Sequence, residues 1–376
     1  MGKGRASNYR RVVAKFGTSL LTGGGDRLDT EVMASLANQV ALLHHLDIEV
    51  IIVSSGAVAA GRHKLGLQKE RRDIPFKQVL ASAGQSRLMN TYEDLFAGHN
   101  ILVAQALLTR TDLGNRSGYL NARNTLLALL DLGVIPIVNE NDVVAVEELD
   151  GSCFGDNDNL SAMVANLVDA DLLVMLTDTV GLCTADPRHH PDAQLIPRVE
   201  LIDGTVECLA QDTTGSHGSG GMTTKIEAAK LATASGVAVV VAHGQESGVL
   251  PRLVSGEAIG TLFLPSTSKM ESRKRWMLSR LNSRGSVILD SGAVSALRKQ
   301  NRSLLPAGIS GVEGSFQRGD IVNLSDGEGK HLGCGISNYG SADIDRIKGI
   351  HSGTISALLG YEYGAEVVHR NNLVIL

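Results

Sequence analysis

Between Gly215 and Lys225 the chain reads Gly-Ser-His-Gly-Ser-Gly-Gly-Met-Thr-Thr-Lys, a run of small residues that closes on a lysine where an apolar helical pattern begins. Such a run leaves backbone N–H groups bare at a helix N-terminus, where they attract phosphate oxygens, and Lys225 adds a cation one turn away. It holds neither a Gly-Lys-Ser/Thr sequence nor Gly-x-Gly-x-x-Gly spacing, so it is not a Walker A loop or a dinucleotide fingerprint. A second lysine, Lys15, closes an apolar run with Gly17 two residues on, and an acid, Asp158, lies in the polar cluster Gly155-Asp-Asn-Asp-Asn159. Phosphoryl transfer needs fixed positive charge around the transferring oxygens and little covalent help. Lys15 and Lys225 are the candidates for that charge. Asp158 between them would keep both protonated and fix their positions.

A different chemistry gathers at other polar stops. Asn139, Asp142 and Asn157 offer carbonyl and carboxylate oxygens suited to an ammonium group, while Ser55 with the Gly56 and Ala57 backbone N–H groups suits a carboxylate at a helix start. Together they would cradle a free amino acid. A carboxylate nucleophile is already ionised at neutral pH and needs no general base, and histidine is accordingly absent from these motifs. Each cluster alone has a plainer explanation: Ser55 as a helix cap, Asn139–Asp142 as a turn, Thr177-Asp178 as a strand end. Their coincidence is what argues for a shared site.

The elements that would bring them together follow from periodicity. Apolar, β-branched runs at Arg11–Phe16, Glu49–Val53, Ile101–Leu107, Val134–Val138, Leu172–Thr177 and Ala238–Val241 read as strands. Helical stretches separate them, among them Thr30–His45, where Val32, Leu36, Val40 and Leu43 recur at helical spacing behind an Asp29 cap. Strands apolar throughout and alternating with helices predict an α/β fold, a mostly parallel open sheet covered on both faces. In such sheets ligands bind beyond the C-terminal strand ends, where these polar residues fall.

After residue 263 the texture changes to short strands and glycine turns: Ser286–Leu289, Gly308–Val312, Gly319–Asn323 and a last strand at Glu366–His369, with a helix near Ala293–Lys299. This predicts a small C-terminal β-barrel-like domain. The expected division is 8–263, a linker 264–283, and 284–376. In the linker, the basic Arg273–Trp276 cluster reads as docking on a neighbouring domain rather than nucleic-acid contact.

Composition narrows the classes. The 376 residues carry a net charge of −5, and aromatic residues make up 3% of them, too few for a protein built to stack bases along a strand. Cys153, Cys183, Cys208 and Cys334 form no CxxC or Cys/His cluster, which argues against structural zinc. No signal-peptide pattern follows the basic N-terminus, and no segment approaches the ~20 apolar residues that span a bilayer. A cytoplasmic protein is expected.

Lys15-Phe-Gly-Thr-Ser, Ser-Ser-Gly-Ala57, Asn139-Glu-Asn-Asp, Gly155-Asp-Asn-Asp-Asn-Leu-Ser161, Thr177-Asp with Gly181-Leu and Thr184-Ala-Asp-Pro187, and Gly220-Gly-Met-Thr-Thr-Lys225 together resemble the glutamate 5-kinases of the amino acid kinase family. Leu289-Asp-Ser-Gly-Ala293, Ser303-Leu-Leu-Pro-Ala-Gly-Ile309 and Gly314-Ser-Phe-Gln-Arg-Gly-Asp320 are similar to the PUA domain that follows in them. The resemblance implies ATP-dependent phosphorylation of the L-glutamate γ-carboxylate, the first step of proline biosynthesis. It also implies Mg²⁺ with the ATP, proline as feedback inhibitor, a homo-oligomer, and handover of a labile acyl phosphate to glutamyl phosphate reductase. On the matching positions it places Lys15, Thr177, Asp178, Ser219, Gly220, Gly221, Met222, Thr223, Thr224 and Lys225 on the ATP side. Ser55, Asp142 and Asn157 fall to glutamate, and Asp158 organises the lysines. The metal ligands stay unassigned. The stretch Val143–Phe154, with Glu147, Glu148 and Asp150, is longer than the family form, a departure that bears on proline sensitivity.

Two other readings stay open. An N-acetylglutamate kinase or an aspartokinase shares the fold, but an acetylated substrate has no ammonium group to meet Asp142. PUA domains elsewhere bind RNA; here the residues from Arg284 onward hold nine Lys/Arg and nine Asp/Glu, and this neutrality argues against RNA as a partner.

Overall fold

A computed structural model describes residues 9–66, 73–145, 157–211, 221–266, 268, 285–300 and 302–375. The chain folds as two compact units, Met1–Gly114 with Ala122–Lys269, and Asn115–Asn121 with Met270–Leu376. The expected linker 264–283 lies mostly outside the described residues.

In the first unit the strands are β1 (Arg11–Phe16), β2 (Glu49–Ser54), β3 (Val103–Leu108), β4 (Ile135–Glu140), β5 (Leu172–Thr177), β6 (Arg198–Val199), β7 (Ala238–His243) and β8 (Thr261–Phe263). They form one sheet in the order β3-β4-β2-β1-β5-β7-β8-β6, parallel throughout except where β7 meets β8. The helices of the chain up to residue 266 are α1 (Thr18–Leu21), α2 (Thr30–His45), α3 (Ala57–Leu65), α4 (Ile74–Ala97), α5 (Arg110–Gly114), α6 (Arg116–Asp131), α7 (Asn157–Leu167), α8 (Gly204–Gln211), α9 (Met222–Thr233) and α10 (Val249–Val254). The α/β fold, with its mostly parallel sheet, is as expected.

The order reverses direction at β1, which pairs with β2 on one side and β5 on the other. This is the switch point at which an open sheet leaves a crevice beyond its strand ends. Alternation along β1 sorts its side chains between the two faces. Val12, Ala14 and Phe16 join the core built on α2, with Leu36 and Val40. Lys15 turns to the other face, where α7 packs. The Asp29 carboxylate caps α2 as the sequence predicts, accepting from the Glu31 and Val32 N–H groups at 3.0 and 3.1 Å.

Helices α3 and α4 pack backbone to backbone. A Cβ on Gly84 would lie 1.9 Å from the Ala57 carbonyl oxygen, and one on Gly61 would lie 1.8 Å from that of Leu80. Only glycine permits this approach. About two turns further along α4, the Tyr92 hydroxyl shares a 2.8 Å hydrogen bond with Ser54 Oγ at the end of β2. Burial pushes the Tyr92 phenol well above its usual range, so it stays neutral.

The second unit contains β9 (Gly285–Leu289), β10 (Ile309–Gly314), β11 (Ile321–Asp326), β12 (His331–Ile336) and β13 (Leu373–Ile375), one sheet in the order β10-β9-β11-β12-β13. Its helices are α11 (Ser291–Gln300), α12 (Ser341–Ile347) and α13 (Ile355–Leu359). The expected strand at Glu366–His369 is a correction: Val367 and Val368 are fully buried, but the segment makes only an isolated bridge, Leu304 to Val368. The closing strand is instead Leu373–Ile375, paired with β12.

Gly84→Ala should lower the melting temperature of the first unit by several degrees, because overpacking against backbone costs about 1–3 kcal/mol. Gly114→Ala, whose Cβ would meet nothing within 4 Å, is the control and should be neutral. Equal thermal unfolding of the two variants would refute the close-packing account.

Candidate active site

The carboxylate of Asp158 is fully buried in the first turn of α7, where an acid also complements the helix dipole. Lys15 Nζ, from β1, sits 2.6 Å from Oδ1, and Lys225 Nζ, from the first turns of α9, sits 3.2 Å from Oδ2. Thr224 Oγ1 donates to Oδ2 at 2.8 Å. Burial by itself would raise the Asp158 pKa; the Lys15 and Lys225 charges, with hydrogen bonds from Lys15 and Thr224, outweigh it and hold the carboxyl well below the ordinary range. Both lysines are almost fully buried.

Gly221 caps α9 in extended backbone, and its carbonyl accepts from Thr224 Oγ1 at 2.9 Å and from Lys225 Nζ at 3.5 Å. Met222, Thr223 and Thr224 therefore lie in the turn that carries Lys225. Ser219 and Gly220, with Gly155 and Asp156, lie outside the described residues.

Amides line the other side. Asn157, adjacent to Asp158 and 5% exposed, donates from Nδ2 to Ser55 Oγ at 2.9 Å, to Asn139 Oδ1 at 3.1 Å and to the Ser54 carbonyl at 3.5 Å. Asn139 donates in turn to Gln85 Oε1 at 2.8 Å. Ser55 does not cap α3. Gly56 does, at φ 101° in the left-handed region, where a side chain would be strained and its Cβ would meet Leu28 at 3.2 Å. The Ser55 hydroxyl is thereby left for Asn157, and Asp142 is buried nearby in sequence, past the end of β4.

At the end of β5, Thr177 Oγ1 donates to Asp178 Oδ1 at 3.0 Å, with Thr177 buried and Asp178 exposed. The turn that follows is fixed by Gly181, at φ 142°, where a Cβ would lie 2.6 Å from Thr261 Oγ1. Further on, hydrogen bonds from Arg188 hold the buried Asp186 carboxyl down at about 2.

Buried cations and a run of side-chain amides thus meet at the first turn of α7, beyond the ends of the central strands, and a family comparison decides what they belong to. The model of the amino acid kinase family matches residues 10–243, more than half of the chain.

The chain belongs to the amino acid kinase family.

The PUA domain model matches residues 285–359. Among curated relatives, glutamate 5-kinases from two strains of Dehalococcoides mccartyi are 58% and 57% identical over 368 residues, 98% of this chain and 99% of theirs. The glutamate 5-kinase of Herpetosiphon aurantiacus is 51% identical over 367 residues, 97% of this chain and 98% of its own. All site motifs expected from the sequence fall inside the amino acid kinase segment.

Within that segment, the structure brings Lys15, Asp158 and Lys225 into direct contact, and joins Asn157 to Ser55 and Asn139. Thr177 and Asp178 contact each other through their side chains. Gln85 was not anticipated from the sequence: it lies inside a long helix where the adjoining Ser86 and Arg87 read as a solvent-exposed face, and the one signal was the Gly84 beside it. Among the described residues no helix is long and apolar enough to cross a membrane.

Folding lowers the pKa of Asp158, so its stabilising contribution is complete above the ordinary carboxylate range and fades only as pH falls below about 4 toward the depressed folded value. Asp158→Asn should therefore cost about 3–5 kcal/mol at neutral pH, through ammonium groups left without their shared anion. Denaturant unfolding between about pH 5 and 8 should show this deficit nearly constant; a deficit that vanishes within that window would contradict the ion-pair assignment.

Proposed function

We propose that this chain transfers the terminal phosphoryl group of ATP to the γ-carboxylate of L-glutamate, giving L-glutamyl 5-phosphate, the first step of proline biosynthesis. The observation that carries the site assignment is the burial of one carboxylate between two lysines from different elements, Lys15 and Lys225, at the switch point of the sheet. Fixed ammonium groups there stabilise charge on the transferring oxygens without reorganising during the reaction. Asp158 is the positioning residue. The glutamate γ-carboxylate is ionised at neutral pH and attacks without a general base.

Thr177, Asp178 and the Ser219–Lys225 segment, with Gly220, Gly221, Met222, Thr223 and Thr224, hold the nucleotide. Ser55, Gly56, Ala57, Asn139, Asp142 and Asn157 hold glutamate. ATP brings Mg²⁺ with it. Among the described residues no group of three or more His, Cys, Asp or Glu side chains would hold an ion alone, which fits a cation carried chiefly by phosphate oxygens and water. Bound there it would neutralise phosphate charge. Asp178, exposed at the strand end, is the nearest acid in sequence to the nucleotide segment on β5.

Around this reaction we place a cytoplasmic homo-oligomer, inhibited by proline, whose acyl phosphate passes to glutamyl phosphate reductase. Residues 8–263 form the kinase domain, 264–283 a linker and 284–376 the PUA domain, which serves the kinase rather than RNA.

The reading is tested by ADP release with glutamate, N-acetylglutamate and aspartate, with the acyl phosphate trapped by hydroxylamine. Glutamate should be the preferred acceptor; faster turnover of either competitor would overturn the acceptor assignment. An ammonium group ~4 Å from a developing charge is worth on the order of 4 kcal/mol at an effective dielectric near 20. Lys15→Ala or Lys225→Ala should thus lower kcat by roughly two to three decades. Asn157→Ala should mainly raise the glutamate KM, and the reverse pattern would exchange the two roles.

A further inference from the structure

The side-chain amides beside the lysine pair form a chain whose direction is set by one backbone group. The Glu140 N–H donates to Asn139 Oδ1 at 2.9 Å. A backbone N–H can only donate, so the atom it meets must be the oxygen of Asn139, and the other atom must be the nitrogen. That nitrogen donates to Gln85 at 2.8 Å, which makes the accepting atom Gln85 Oε1 and leaves Nε2 as the far end. On the other side, Asn139 Oδ1 also accepts from Asn157 at 3.1 Å, which makes the donor Asn157 Nδ2 and leaves Oδ1 as the far end. No amide in the series can be flipped without setting donor against donor or acceptor against acceptor.

The chain therefore ends in one donor and one acceptor. Both Gln85 Nε2 and Asn157 Oδ1 are buried, and neither has a hydrogen-bond partner among the described residues. A buried donor left unmade is costly, so two ends of opposite polarity on one amide chain beside the lysine pair are groups that a ligand would complete. Gln85 is held there from two directions. Gly84, beside it, rests against the Ala57 carbonyl, and Tyr92 on the same helix is bonded to Ser54. The helix that carries Gln85 is thereby fixed, and its amide is tethered by the bond from Asn139 Nδ2.

We propose that Gln85 is a substrate-contacting residue whose Nε2 donates to a carboxylate oxygen of the bound amino acid, while Asn157 Oδ1 accepts from its ammonium group. The proposal rests on the reading of this crevice as the glutamate site, and it adds a specificity-determining residue to it. An amino acid carries both groups, a dicarboxylate without nitrogen carries only one, and an amine without carboxylate only the other.

Gln85→Glu separates this role from a purely structural one. The introduced carboxylate is nearly isosteric and still accepts from Asn139 Nδ2, so the amide chain stays anchored; what disappears is the donor, replaced by a negative charge facing the substrate. The glutamate KM should rise about 10- to 100-fold, with the ATP KM changed less than about threefold. It should fall again as pH is lowered through the titration of the introduced acid. Gln85→Leu, which removes donor and acceptor together, should raise the glutamate KM at least as much and show no such pH rescue. In parallel, the rise in melting temperature on adding glutamate should be present in the wild type and lost in Gln85→Glu, a readout that also reports whether the variant is folded.

A glutamate KM within about twofold of wild type in Gln85→Glu, together with an undiminished glutamate-induced thermal shift, would reduce Gln85 to a support for Asn139 and overturn the proposal alone. A wild type that does not phosphorylate glutamate would overturn the functional reading, and this proposal with it.

Discussion

One buried carboxylate holds this site together. Asp158 is fully removed from water, and the desolvation of an anion costs several kcal/mol even after the surroundings relax. Its attraction to an ammonium about 3 Å away is about 5 kcal/mol at an effective dielectric near 20, so one lysine would do little more than break even. Two lysines and the Thr224 hydroxyl shift the balance, and the acid stays ionised in spite of its burial. The three side chains come from β1, α7 and α9, so the fold is constrained to bring a strand end and two helix starts to one point. Asp158 and the two lysines carry one net positive charge between them, the sign that a transferring phosphoryl group requires.

That constraint explains the placement of the surrounding elements. Because β1 lies between β2 and β5 at the switch point, a helix crossing the sheet there reaches the ends of several strands at once, and α7 packs against β1, β2, β4 and β5. Its first residue faces Ser55 and Asn139, and its second faces the lysines. One helix start thus serves both halves of the site. The glycine contact between α3 and α4 does the same for a third wall, since the approach of Gly84 to Ala57 brings Gln85 within reach of Asn139. A side chain at Gly84 would separate the helices and move that wall.

Much of this was legible in the residues. The strands Arg11–Phe16 and Leu172–Thr177 and the helix Thr30–His45 have the predicted ends, because apolar runs meet unambiguous polar stops and a capping acid. The Lys15, Asp158 and Lys225 grouping was legible too, through the coincidence of three charges at a strand end and two helix starts of one sheet, since any one of them alone has an ordinary explanation. The C-terminal unit was harder. His331–Ile336 reads His-Leu-Gly-Cys-Gly-Ile, and its glycines weaken any strand pattern, yet a Cβ on Gly333 would lie 2.0 Å from the Val374 carbonyl, so the pairing with β13 demands glycine there. Val367 and Val368 imitate a strand because both are buried, but burial without a neighbouring ladder is not a strand. Gln85 was illegible for a related reason: nothing but the neighbouring Gly84 sets it apart from Gln78 in the same 24-residue helix, and its role depends on a partner 54 residues away.

The two halves of the crevice discriminate by different physics. Around Asp158 the forces are between whole charges, which fall off slowly with distance and tolerate small changes of angle, so this half recognises an anion without prescribing its shape. The amide half works through direction. Each bond from Glu140 N–H through Asn139 to Gln85 and Asn157 fixes the orientation of the next, and a ligand that presents the wrong polarity at either end meets a donor with a donor or leaves a buried group unmade. A site built to hydrogen-bond a substrate group rejects an analogue lacking it far more strongly than an apolar pocket rejects a missing methylene. If the crevice holds glutamate as proposed, acceptor selectivity is set on the amide side, by neutral side chains, while the charged side would serve any acid brought into line with the nucleotide.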